Sequence, residues 1–138
     1  MAKAASGYSA APLAKKLGIR DGTRLLAIDA PSDYARRLAA LPEGVVFEKA
    51  LTPGTDVVHV FASSRRALAK ELGRCRKAMR PDAALWVSWP KKAAKVPTDL
   101  SEDVIRALAL PIGLVDIKVC AVSDVWSGLK LVIRKALR

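Results

Sequence analysis

Apolar residues fall in short runs bounded by turn signals, and these runs alternate with stretches whose apolar positions recur every three or four residues. Residues 24–28, 45–47, 56–61 and 83–88 are four such runs. Short runs that are apolar throughout predict strands buried on both faces, as in a parallel sheet. Val57, Val58 and Val60 strengthen the third, because β-branched side chains suit a pleated surface. Residues 114–122 and 129–134 are two further strands, and the short polar stretch 123–128 between them makes them an antiparallel hairpin.

Between the strands the period lengthens to that of a helix. Residues 13–17 predict a short helix stopped by Gly18. Ser32 or Asp33 caps a second, running through Leu41 and stopping at Pro42. Ser63 or Ser64 caps the third, in which Leu68, Leu72, Cys75 and Met79 share an arc of roughly 60° at helical spacing. Arg65, Arg66, Lys70, Arg74, Arg76, Lys77 and Arg80 cover its opposite half. Asp99 caps a fourth, with Glu102 placed three residues on as in a capping box, and that helix ends at Pro111 to Gly113. Strands alternating with helices before a final hairpin predict an α/β fold. The expectation is a three-layer, Rossmann-like sheet of about six strands, mainly parallel, with a C-terminal antiparallel hairpin. Residues 49–55 are too few for a helical crossover. Extended at ~3.3 Å per residue they span roughly 23 Å, enough to return along one face of the sheet. An antiparallel second strand is the alternative.

Composition narrows the class. The chain has 138 residues, 51% of them hydrophobic, which predicts one compact domain over residues 12–138 behind a flexible arm, residues 1–11. No apolar run is long enough for a membrane span or a signal core, so a cytoplasmic protein without membrane association is expected. The two cysteines, Cys75 and Cys120, lie far apart on apolar faces and form no metal-ligand spacing, so no metal site is expected. Net charge is +11, and residues 65–95 hold ten basic side chains against two acidic ones. That concentration permits nonspecific nucleic-acid binding by counterion release through Arg66, Lys70, Arg74 and Lys77, although no aromatic residues interleave for base stacking. A solvated helix face explains the same stripe.

The order of these elements resembles the class I S-adenosylmethionine-dependent methyltransferases. The likeness rests on Leu17-Gly-Ile-Arg-Asp-Gly-Thr-Arg-Leu-Leu-Ala-Ile-Asp29, Asp56-Val-Val-His-Val-Phe61, Met79-Arg-Pro-Asp-Ala-Ala-Leu-Trp-Val87, Gly113-Leu-Val-Asp-Ile-Lys-Val119 and Trp126-Ser-Gly-Leu-Lys-Leu-Val132. It implies S-adenosylmethionine as cofactor, with Glu48 in place of the acid that binds the ribose. The chain departs from that family in the loop after the first strand, Asp29-Ala-Pro-Ser-Asp33, which has no glycine to let a cofactor approach the backbone. The departure counts against the cofactor. Gly7-Tyr-Ser, Ser88-Trp-Pro-Lys-Lys92 and Trp126-Ser-Gly-Leu-Lys130 also resemble a bacterial family catalogued as a domain of unknown function, which implies no activity.

In open α/β sheets ligands sit beyond the carboxyl ends of the parallel strands. Those ends carry Asp29, Ser32, Glu48, Ser63, Ser64, Arg65, Ser88, Trp89, Lys91 and Lys92, with Trp126 reaching in from the hairpin. Hydroxyls, helix starts and cations favour an anion, and Trp89 offers cover for a flat ring. Asp29 and Glu48 form a candidate carboxylate pair. The same residues also read as ordinary caps, packed tryptophans and solvated lysines. His59 sits mid-strand on the side of Val57 and Phe61 and reads as a packed residue. The expected function is binding of an anionic small molecule or a macromolecular partner without catalysis. The alternatives are a methyltransferase with an atypical cofactor loop and a basic nucleic-acid accessory protein.

Overall fold

The computed structural model describes residues 12–138. The expected N-terminal arm, residues 1–11, lies outside them. The strands are β1 (Arg24–Ile28), β2 (Val46–Phe47), β3 (Val57–Phe61), β4 (Ala84–Pro90), β5 (Leu114–Ala121) and β6 (Trp126–Ile133). The helices are α1 (Leu13–Lys16), α2 (Tyr34–Leu38), α3 (Arg65–Ala78) and α4 (Glu102–Ala109). One sheet runs in the order β2-β1-β3-β4-β6-β5. Its first four strands are parallel, and β6 and β5 close it as the expected antiparallel hairpin. Among the described residues no helix is long and apolar enough to cross a membrane.

Alternation along each strand divides the core in two. Leu26, Val58, Val60, Leu85 and Val87 face α3 and α4, where they meet Leu68, Leu72, Cys75 and Ile105. Leu25, Val57, Phe61 and Trp86 point the other way and are covered by Leu13 and Leu17 of α1 and by Tyr34 and Leu38 of α2. The chain thus has the three expected layers. The short link 49–55 does cross from β2 over β1 to β3, since β2 pairs parallel to β1 and Leu51 packs into the α3-side core. Thr52 and Thr55 close a turn within it, with the Thr55 N–H donating to the Thr52 carbonyl.

Four boundaries differ from the sequence reading. Helix α2 stops at Leu38, because Ala39 turns to φ +49° and Leu41 precedes a proline, which disfavours helical backbone. Ser101, and not Asp99, caps α4 by accepting the Val104 N–H. Glu102 turns instead to Arg106. Strand β4 runs past Ser88 to Pro90, and β6 begins at Trp126, because Trp89 pairs with Ser127 and Pro90 with Trp126. Gly128 makes that hairpin possible: a Cβ there would lie 2.9 Å from Val122 Cγ2 and 3.4 Å from Trp86 Cε3.

The α1/α2 layer holds one polar column. His59 is fully buried on β3, with Nδ1 2.8 Å from the Tyr34 hydroxyl and Nε2 2.7 Å from the Ser88 hydroxyl. A neutral imidazole has one donor and one acceptor nitrogen, and hydroxyls can play either part, so both nitrogens are satisfied. Phe61 stacks on the ring at 4.2 Å and Tyr34 meets it edge-on at 5.3 Å. Burial pushes the His59 imidazole down to about 3 and the Tyr34 hydroxyl upward.

Two consequences are measurable. His59 stays neutral when folded but takes a proton near pH 6.5 when unfolded, so its contribution to stability is complete above pH 6.5 and is lost as pH falls toward 3. The slope from this one group approaches about 1.4 kcal/mol per pH unit. Urea midpoints from pH 7.5 to 4.5 will fall less steeply for His59→Gln than for the parent; equal slopes would contradict the assignment. Gly128→Ala will lower stability by about 1–3 kcal/mol through overpacking against Val122 and Trp86, read from urea unfolding at neutral pH.

Candidate functional site

The carboxyl ends of the parallel strands form a polar rim. After β1, Asp29 is exposed and holds φ +57°, a left-handed conformation that Asp enters more readily than most side chains. Ser32 beside it is exposed. Asp33 occupies the N-cap position of α2, yet its carboxylate accepts from Arg37 Nε at 2.7 Å and not from the backbone. The loop then descends to Tyr34, which is 5% exposed and anchored on His59.

After β3 the start of α3 is clasped by the segment before α4. Ser64 is the cap, its Oγ accepting the Ala67 N–H at 3.1 Å. Thr98 donates its hydroxyl to the Ser63 carbonyl at 2.6 Å, and Asp99 accepts the Arg65 N–H at 2.6 Å. Asp99 therefore serves α3, and sequence spacing alone, which assigned it to α4, could not reveal a partner 34 residues away. The Ser63, Ser64 and Arg65 side chains remain exposed.

The remaining candidates separate from this rim. Ser88 is fully buried against His59, and Trp89 lies in the α3-side core at 8% exposure. Both follow from the extension of β4, whose alternation turns Ser88 to one face and Trp89 to the other. Trp89 is thus a core residue and offers no cover for a ligand ring. Trp126 is partly buried edge-on to Phe61 at 5.1 Å. The Lys91 N–H donates to the Val125 carbonyl at 2.7 Å, tying β4 to the hairpin, and Lys92 is exposed.

Glu48 does not join Asp29. Strand β2 ends at Phe47, opposite Leu25, three residues short of the end of β1 at Ile28. From there the carboxylate accepts from Arg24 Nε at 2.6 Å and from the Thr55 hydroxyl. The Thr55 hydrogen bond, with Arg24 beside it, holds the carboxyl below the usual glutamate range. The candidate carboxylate pair is therefore not assembled, since one member is engaged toward the amino end of the sheet.

The basic face of α3 is narrower than the pattern suggested. Arg66, Lys70 and Lys77 are exposed. Arg74 pairs with Glu71 at 2.6 Å, and Arg76 donates to the Ile112 carbonyl at 2.9 Å. Arg80 leaves the face altogether, bridging Asp56 and Asp82 at 2.6 Å each. Among the described residues no three or more His, Cys, Asp or Glu side chains converge to hold a metal. Cys75 is buried and Cys120 partly so, and burial raises both thiols, Cys75 to about 11.

Tyr34 is the residue that sequence reasoning missed in this region. Its signal was available: it is the first apolar position after a cap and lies one helical turn before Leu38 on the buried side.

No protein-family model matches the chain. No curated protein matches it in sequence either. Solved structures do. A candidate type 11 methyltransferase from Sulfolobus solfataricus superposes with a TM-score of 0.61 at 12% identity, covering 89% of this chain and 90% of that one. A SAM-dependent methyltransferase from Aquifex aeolicus gives 0.57 at 13% identity, covering 88% and 87%. Fibrillarin from Aeropyrum pernix, solved with natively bound S-adenosyl-L-methionine, gives 0.55 at 14% identity, covering 87% and 73%. At such identities the likeness is one of fold, and this chain has the Rossmann-like fold of the S-adenosylmethionine-dependent methyltransferases.

Proposed function

We propose that this chain is a methyltransferase-like domain that acts by binding, without methyl transfer, and that its partner is an anionic macromolecule held along α3. The observation that carries the partner is the outward face of that 14-residue helix. Arg65, Arg66, Lys70 and Lys77 are exposed there, and among the described residues none of the four side chains has an acidic partner. Clustered cations raise the local concentration of a polyanion, and release of its counterions supplies affinity without sequence readout. A nucleic acid is the natural probe of such a face.

The absence of methyl transfer is supported by the first loop. Residues 29–33 carry a Cβ at every position, so the backbone cannot be approached as closely as a glycine-rich turn allows. Glu48, the acid placed for a ribose by resemblance, is engaged by Arg24 and Thr55. The reading places the protein in the cytosol, where Cys75 and Cys120 stay as thiols.

The second reading is an S-adenosylmethionine-dependent methyltransferase with an atypical loop. It is favoured by the fold likeness to the solved methyltransferases over nearly the whole chain. Assignment to a bacterial family of unknown function rests on the residue resemblance alone and adds no activity to either reading.

Two experiments separate these readings. In thermal unfolding with millimolar S-adenosylmethionine or S-adenosylhomocysteine, no stabilisation is expected, whereas a ligand at about 100 times its Kd adds about 2.7 kcal/mol. A selective shift with S-adenosylhomocysteine would overturn the non-catalytic assignment. For the partner, anisotropy with a labelled 20-mer duplex should give an affinity that falls steeply with salt. Combined Arg66→Glu, Lys70→Glu and Lys77→Glu should abolish binding at 150 mM salt, and removing each phosphate contact should flatten the log–log salt slope by about 0.9. Undiminished affinity in that variant would remove α3 as the interface.

A further inference from the structure

The groove at the amino ends of the strands lies at the opposite end of the sheet from the polar rim and contains none of the exposed cations of α3. It has a volume of about 330 Å³ and is lined by the turn 18–23 that leads into β1, by Asp56 and Arg80, and by Lys130 from β6. Gly18 and Gly22 form part of its wall at φ +78° and +74°, and no atom lies within 4 Å of where their Cβ would be. The opening is therefore left clear by residues that the turn itself requires to be glycine.

The charges around it are unequally matched. Arg80 is neutralised by Asp56 and Asp82 at 2.6 Å each, and Asp56 also accepts the Arg24 N–H at 2.7 Å. Asp21 accepts the Glu43 N–H at 3.2 Å. Arg20 and Lys130 line the groove together with these acids, and neither forms an ion pair with any of them. Lys130 lies directly across from Lys118 in the β5–β6 ladder, an arrangement of like charges that costs stability. Arg20 is close enough to act on the same ammonium, and burial, Lys118 and Arg20 together lower the Lys130 pKa. Lys118 reaches the Lys16 carbonyl at 3.4 Å, and Lys16 donates to the Ala121 carbonyl at 3.1 Å. Among the described residues no acid pairs with Arg20, Lys118 or Lys130.

A partly buried lysine facing two further cations, beside an open groove, is the arrangement that an anion relieves. We infer that this groove binds the phosphate group of a small phosphorylated molecule, held by Lys130 and Arg20 with Lys118 behind them. The volume lies at the lower end of the range for small-molecule sites and suits a compact ligand better than a polymer. Arg20 supplies the planar fork that grips two phosphate oxygens, and Lys130 a point charge. Asp56 and Asp82 are held by Arg80 and Asp21 accepts the Glu43 N–H, which leaves Arg20 and Lys130 to the ligand. The site goes beyond the function proposed above, since it shares none of the exposed cations of α3.

The test uses inorganic phosphate and, separately, the 20-mer duplex, followed by amide NMR on the full chain. Phosphate should move the amides of Gly18, Gly22 and Thr23 saturably. Arg20→Gln and Lys130→Met should each weaken that binding at least tenfold, while Arg36→Gln, at an exposed position of α2, should leave it unchanged. Arg20 is exposed, so its variant keeps the test decisive should Lys130→Met fail to fold. Phosphate shifts confined to α3, linear non-saturating shifts, undiminished binding in Arg20→Gln, or groove amides that answer only to the duplex would each overturn the assignment.

Discussion

His59 is the constraint around which one whole layer is arranged. A histidine fully buried in the central part of a parallel sheet must keep both ring nitrogens bonded, because an unmet polar group there costs about 1–3 kcal/mol. Tyr34 from α2 and Ser88 from β4 meet that demand from opposite sides. Once they do, the loop after β1 has to descend onto the sheet within a few residues, and α2 is short because its first residue is the anchor. Phe61 and Trp126 close over the ring, which carries the packing to the C-terminal hairpin. Trp86, the register partner of His59 on β4, donates its indole N–H to the Leu17 carbonyl at 3.1 Å and seats α1.

Ion pairing divides the two ends of the sheet. At the amino ends, Arg24 with Glu48 and Arg80 with Asp56 and Asp82 tie the link 49–55 and the end of α3 to the strands. The first of these pairs consumes Glu48, a carboxylate that the sequence had offered to function. Arg106 ties α4 to β5 through Asp116. With so many acids held in structural pairs, the surplus of positive charge is left where no acid reaches: along the outer face of α3 and around Lys130.

The fold and its local chemistry carry separate messages. The fold is like that of the solved methyltransferases, whereas the glycine-free loop after β1 and the tethering of Glu48 are local features of these residues. A fold hosts many functions, so the residues at the strand ends decide between binding and catalysis, and here they offer an exposed rim with Trp89 and Ser88 withdrawn into the core.

Most of the architecture was legible from local pattern. Apolar runs of strand length, the arc of Leu68, Leu72, Cys75 and Met79, and the close spacing of the last two strands depend on short-range periodicity, which any one segment displays by itself. His59 was legible as a packed residue because its neighbours on the same face, Val57 and Phe61, are apolar. What escaped were facts about partners distant in sequence. Trp89 read as a loop residue until pairing with Ser127 drew β4 onward, and Asp99 read as the cap of α4 although it holds the start of α3. Glu48 looked available because Thr55 and Arg24 approach it only when β1, β2 and the link come together. The facing of Lys118 and Lys130 likewise arises only from the hairpin register. The sequence by itself determined which residues turn inward along each element, since that follows from backbone period. Only the tertiary structure decided which polar groups satisfy one another, because those pairings depend on register and crossover between segments that carry no local record of each other.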